Sequence, residues 1–220
     1  MSQTDIAPIG YWNFTARQGP FQGLSPNWAL KTNGATITDR GLKVAVNQYA
    51  VATGYTGKAP VSEKTLVAWL RLADLDARGG AALTIDSKSV DQFDGLVYGE
   101  VTPLQWIMGS NGAKRTPRSD ADYATEDAPG QLVQIVGVYR NTSTGSTIEG
   151  YRNGTLFTTF NYTTPLPIWQ PGDIQLFFGK RHHLANPVNC YLDAVIVAAA
   201  IYDIALPKGT VPGLDNRGLQ

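Results

Sequence analysis

The stretch Tyr191-Leu192-Asp193-Ala194-Val195-Ile196-Val197-Ala198-Ala199-Ala200-Ile201-Tyr202-Asp203-Ile204-Ala205-Leu206-Pro207 decides the fold, because it sets a carboxylate in an apolar strand and closes on a short turn. Val and Ile in its first half suit a pleated, buried strand. A charge in such a strand costs several kcal/mol unless it is paired, hydrogen-bonded or bound to a cation, so Asp193 is expected to have a partner. A single helical turn is expected around Tyr202 to Leu206.

Outward from this run, the two-residue period of half-buried strands recurs along the chain. Gly10-Tyr11-Trp12-Asn13-Phe14 opens with aromatics, and Ala35-Thr36-Ile37-Thr38 and Gly41-Leu42-Lys43-Val44-Ala45-Val46 flank an Asp39-Arg40-Gly41 turn. Thr65-Leu66-Val67-Ala68-Trp69-Leu70-Arg71-Leu72 alternates less cleanly, which predicts a central strand covered on both faces. Leu132 to Arg140 and Thr147 to Arg152 read as strands, and Asn153-Gly154 then predicts a two-residue hairpin turn into Thr155 to Phe160. Both central residues of a type I′ turn need positive φ, which Asn and Gly tolerate. No segment carries a sustained helical period.

Composition narrows the function. Of 220 residues, 43% are hydrophobic and 16% charged, which is enough apolar material for one sizeable core. A single domain over residues 1–220 is expected, with its core at about 10–207. The 23 Gly and 13 Pro are spread along the chain and mark many short elements joined by turns. A net charge of zero, with no block of like charges, gives no footprint for nucleic acid or an anionic membrane. Met1 to Pro8 lacks the basic and apolar regions of a signal peptide, and no apolar run approaches the roughly 18 residues of a membrane span. A soluble chain is therefore expected. Cys190 is the only cysteine, so no intrachain disulfide can form, which fits a cytoplasmic setting.

In order and spacing, several of these strands resemble the laminin-G-like domains of the concanavalin A-like lectin/glucanase superfamily. Tyr11-Trp12-Asn13-Phe14 is similar to their opening "YWPF", Thr65 to Leu70 to "FTVSAWVK", Gln134 to Arg140 to "WHHVAGVYD", and Tyr151-Arg152-Asn153-Gly154-Thr155 to the "LYVDG" hairpin. Ile174 to Lys180 with Tyr191 to Pro207 resembles their final two strands. The resemblance runs from Tyr11 to Leu206 and implies an all-β, two-sheet antiparallel β-sandwich, the concanavalin A-like jelly roll. It also implies a structural Ca²⁺ with Asp193 as its metal ligand, because an Asp in the last strand often contributes to that ion. The other reading of Asp193 is that it caps backbone N–H groups or pairs with an Arg.

Gln92-Phe93-Asp94-Gly95-Leu96-Val97-Tyr98-Gly99-Glu100, with Trp106-Ile107-Met108-Gly109-Ser110 and Arg115-Thr116 beyond it, supplies the first candidate site. Asp94, Tyr98, Glu100, Trp106 and Arg115 bring acceptors, a donor fork and stacking surfaces into one short stretch. A sugar ring needs such a set, having an apolar face and a hydroxyl-rich edge. The competing reading is that Tyr98 and Trp106 are core packing. The second candidate is the loop Lys180 to Asn189, whose Arg181, His182 and Asn186 rim a ligand site; Trp169 is the further aromatic. His182 and His183 point to opposite faces if the backbone is extended, which counts against a metal there.

The carboxylate spacing Glu-x-Asp-x-x-Glu of family-16-type glucanases is absent, and Gln134-Ile135-Val136 lacks the His of the lyase pattern. The expected function is a non-catalytic, lectin-like module that binds glycan or polysaccharide. The alternative is a structural or protein-interaction module of a larger assembly, with another protein or a second copy, paired as a homodimer through an edge strand, as partner. A hydrolase or lyase with an unfamiliar carboxylate pair is the third.

Overall fold

The structure, a computed structural model, describes residues 6–15, 28–110 and 124–214. Along the chain its strands are β1 (Gly10–Asn13), β2 (Ala29–Asn33), β3 (Thr36–Thr38), β4 (Gly41–Val44), β5 (Tyr49–Thr53), β6 (Lys64–Leu72), β7 (Gly80–Ser87), β8 (Phe93–Tyr98), β9 (Gln105–Ser110), β10 (Ala124–Thr125), β11 (Leu132–Thr142), β12 (Gly145–Arg152), β13 (Thr155–Tyr162), β14 (Ile174–Phe178) and β15 (Ala194–Tyr202). They form two antiparallel sheets, one ordered β13-β12-β11-β6-β15-β4-β3 with β1 added on β15, the other β10-β9-β8-β7-β14-β5-β2. This is the sandwich the sequence predicts, two sheets whose inner faces share one core.

β6 shows why its pattern does not alternate. It lies between β11 and β15 in the middle of its sheet. Leu66, Ala68 and Leu70 enter the core between the sheets, while Val67 and Trp69 join a second apolar cluster on the outer face. Val211 and Leu214, from the 3₁₀ turn at Lys208–Leu214, complete that cluster. The helical turn expected at Tyr202 to Leu206 is thus displaced toward the C-terminus, because Leu206 first has to close over Trp69's cluster and Pro207 then starts the new turn. The Asn153-Gly154 turn forms as expected, with φ of 48° and 75° and Arg152 paired to Thr155 across it.

The strand expected to hold Asp193 begins one residue later, at Ala194, so the carboxylate stands at the strand mouth and is only partly buried. The interior charge belongs instead to Lys64 on β6, whose Nζ lies 2.7 Å from Asp94 Oδ2 on β8 with both side chains 0% exposed. This contact joins one sheet to the other. Lys64 Nζ also donates to the Ser62 carbonyl at 2.7 Å and lies over the rings of Trp169 and Tyr139, at 4.1 and 4.8 Å from their centroids. Burial pushes Lys64 down and Asp94 up from their ordinary ranges, and each charge opposes the other's shift.

Lys64→Met or Asp94→Leu alone leaves one uncompensated buried charge and is expected to lower unfolding stability by about 3–5 kcal/mol. The double variant should recover most of that loss, a contrast that urea unfolding of the four proteins measures.

Candidate functional site

Tyr98, Trp106 and Trp169 all belong to the core cluster between the sheets. Trp106 Nε1 donates to Glu126 Oε1 at 2.8 Å, and Arg152 holds the same carboxylate with Nε at 2.8 Å and a second nitrogen at 2.9 Å. Tyr98 donates its hydroxyl to the Leu75 carbonyl at 3.1 Å. Of the two readings of these aromatics, core packing is the one the structure displays. Asp94 is likewise removed from any sugar edge by its pairing with Lys64.

Glu100 and Arg181 do meet, with an N–O separation of 2.5 Å, but they meet each other and so tie the end of β8 to the loop after β14. Asn186 is exposed and shapes that loop, accepting from the Val188 N–H at 3.1 Å. Arg115 lies outside the described residues, so its place in the set is left to the sequence. His182 is buried and stacks on Phe93, with ring centroids 4.3 Å apart and planes 6° from parallel. The expected cluster therefore divides into core members and members that fasten one loop.

An open pocket of about 240 Å³ forms instead at one end of the sandwich. Three segments build it: Val46 from the β4–β5 turn, Asp74, Asp76, Ala77 and Arg78 from the β6–β7 loop, and Val188, Asn189, Tyr191 and Asp193 ahead of β15. Asp74 Oδ1 accepts the Asp76 N–H at 2.8 Å, a local turn that holds both acids on the loop. Gly79 and Gly80 let this loop lie against the chain at 189–192. Gly79 sits at φ +73°, and a Cβ on Gly80 would overlap the backbone of Tyr191 and Leu192. The Ala73 N–H donates to the Asp193 carbonyl at 2.9 Å and closes the junction.

The pocket mixes three carboxylates, the Arg78 guanidinium, the Asn189 amide, the Tyr191 phenol and apolar surface. Burial first, then the nearby Asp74 carboxylate, raise the pKa of Asp193, while Lys43 opposes them. Val46 and Val188 are 67% and 80% exposed at the rim. Asp74, Asp76 and Asp193 line the pocket but do not close into an ion's shell. Among the described residues, the one group of three or more acidic, His or Cys side chains with ligand atoms within 4.8 Å of one another is Asp86, His182 and His183. A Ca²⁺ shell would require these aspartates to turn further toward one another.

Of the residues lining this pocket, the sequence marks Asp193 by its charge and places Val188 and Asn189 in the candidate loop Lys180 to Asn189. The other signals were present as Asp74-Leu75-Asp76 followed by Gly79-Gly80, two acids on a loop that must approach backbone closely.

Comparison with known proteins agrees with the architecture. Residues 43–211 match the family model described as the concanavalin A-like lectin/glucanases superfamily. No curated protein matches the chain. Trypanosoma rangeli sialidase in complex with 2,3-difluorosialic acid aligns with a TM-score of 0.64 at 15% identity, covering 94% of this chain and 32% of the sialidase. The binding domain of botulinum neurotoxin DC, solved with SialylT and with rat synaptotagmin II, aligns with a TM-score of 0.63 at 13% identity, covering 96% of this chain and 51% of that one. This chain thus spans about a third of the sialidase and half of the toxin domain, and the likeness is one of fold. Among the described residues no helix is long and apolar enough to cross a membrane.

Trp106→Ala removes a fully buried indole and one of the donors to Glu126, which keeps its two hydrogen bonds from Arg152. It should lower stability by about 3–5 kcal/mol, read as the shift in the urea unfolding midpoint.

Proposed function

This chain belongs to the concanavalin A-like lectin/glucanase superfamily, and we propose that it is a non-catalytic recognition module that binds glycan in the pocket between the β6–β7 loop and the chain ahead of β15. The observation that carries this reading is the pocket's lining. Asp74, Asp76 and Asp193 offer carboxylate oxygens to sugar hydroxyls, Arg78 and Asn189 donate, and Tyr191 with Val46 and Val188 offers apolar surface to a ring face. Fold neighbours solved with 2,3-difluorosialic acid and with SialylT bound support sugar as the ligand class.

Charge refines the choice of sugar. Three carboxylates stand against one guanidinium in the lining, so a neutral glycan is favoured and a carboxylate-bearing one such as sialic acid is repelled. Recognition needs no bound ion in this reading. Calcium bridging Asp193 and its neighbours would add affinity for vicinal hydroxyls, and a chelator arm of the assay reports on it. A protein ligand is the second reading, favoured by exposed Val46, Leu184 and Val188 on adjoining loops.

The test is a glycan array probed with the purified protein, with calcium and with chelator, alongside Tyr191→Ala and Asp74→Asn variants shown to be folded. Binding to neutral glycans, weakened at least about tenfold in each variant through loss of a stacking or hydrogen-bonding partner, is the expected result. Absence of glycan binding, or binding indifferent to both substitutions, contradicts the reading.

A further inference from the structure

The outer face of the seven-stranded sheet carries a second polar cluster, separate from the pocket. Asp86 on β7 is paired in register with Phe93 on β8 and Gln175 on β14, so these three share a face, while the alternate residues Ile85 and Leu176 enter the core. The loop after β14 folds over this face. Far from being extended, its backbone turns, with the Ala185 N–H donating to the His182 carbonyl at 3.3 Å, and the two imidazoles stand 6.5 Å apart at 87° to each other. Both rings therefore reach Asp86 from above, which removes the objection that adjacent histidines diverge.

We propose that Asp86, His182 and His183 bind one divalent transition-metal ion, zinc by preference, which pins the loop after β14 to the sheet. One ligand atom from each residue lies within 4.8 Å of the others. Donors around a tetrahedral zinc with bonds of about 2.0–2.2 Å stand about 3.3–3.6 Å apart, so closing on the ion takes a movement of about an ångström in side chains alone. Two imidazoles and a carboxylate are borderline donors that suit zinc over calcium or magnesium.

Three further features fit a metal. Asp86 Oδ1 and His182 Nδ1 are buried without a hydrogen-bond partner, and an ion supplies one for such atoms. Asp86 Oδ2 is already oriented, accepting from Gln175 Nε2 at 2.6 Å and sharing a hydrogen bond with His183 Nδ1 at 2.8 Å, while Phe93 fixes the plane of His182. Of the neighbouring cations, Arg181 pairs with Glu100, and Lys180 lies over the rings of Tyr49 and Phe177 and donates to the His183 carbonyl at 3.4 Å. His183, with its side chain 24% exposed, leaves the ion a way in, and Asp91 stands beside it with Oδ1 3.6 Å from His182 Nδ1.

The inference does not rest on glycan binding, and its test uses the metal alone. Chelator-stripped protein is titrated with Zn²⁺ by calorimetry, desalted, and assayed for retained metal, with Ca²⁺ and Mg²⁺ as controls. One zinc per chain and a rise in Tm are expected, with neither control reproducing them. His183→Ala, at the accessible edge, and His182→Phe, which keeps the stack on Phe93, should each weaken zinc binding by at least about tenfold. Co²⁺ added to the unaltered protein should give the intense visible absorption of a four-coordinate site, a readout that needs no variant to fold. Failure to retain zinc, affinity unchanged in both variants, or a weak octahedral Co²⁺ spectrum overturns the proposal.

Discussion

Lys64 and Asp94 face each other across the sandwich with no exposed side-chain surface, and much of the interior is arranged around that pair. Two charges taken out of water are held at a net cost unless their remaining polar atoms are satisfied, so a pair of this kind specifies register more than it adds stability. Ser62 accepts from the ammonium, the rings of Trp169 and Tyr139 cover it, and Tyr139 reaches the carbonyls of Gly95 and Gly109 on the opposite sheet, at 3.4 Å each. Sliding either sheet by one residue would strand the ammonium and the carboxylate in hydrocarbon. Tyr98 of β8 and Trp106 of β9 are committed to this interior, whereas Phe93 of β8 faces outward against His182.

That division explains which parts of the molecule could be read from sequence. β6 and the Asn153-Gly154 turn were legible because each rests on local chemistry, an apolar run covered on both faces and a backbone that needs positive φ. The phase of β8 and β9 was not legible. All six residues of β8 are buried, so alternation, the usual mark of which side faces in, is erased and Tyr98 can be assigned to either face. The histidine pair reads differently for another reason: its divergence follows only for an extended backbone, and the chain turns there. Asp193 was found by its charge, but its surroundings come from segments far apart in sequence that only the fold brings together.

The two polar sites differ in kind. The pocket is open, acidic and rimmed by exposed valines. The Asp86 cluster is largely buried with His183 at its accessible edge, and it is oriented by Gln175 and Phe93. The loop it fixes continues into Asn189 and Tyr191 of the pocket wall, so the rigidity of one site bears on the shape of the other.

Glycan binding in the pocket is tested most directly by titrating ¹⁵N-labelled protein with a neutral glycan selected by binding and following backbone amide shifts. The largest changes are expected in the β4–β5 turn at Val46, the β6–β7 loop at Asp74 to Arg78, and Val188 to Asp193. Changes concentrated on another face of either sheet, with these three segments silent, would contradict binding in the pocket.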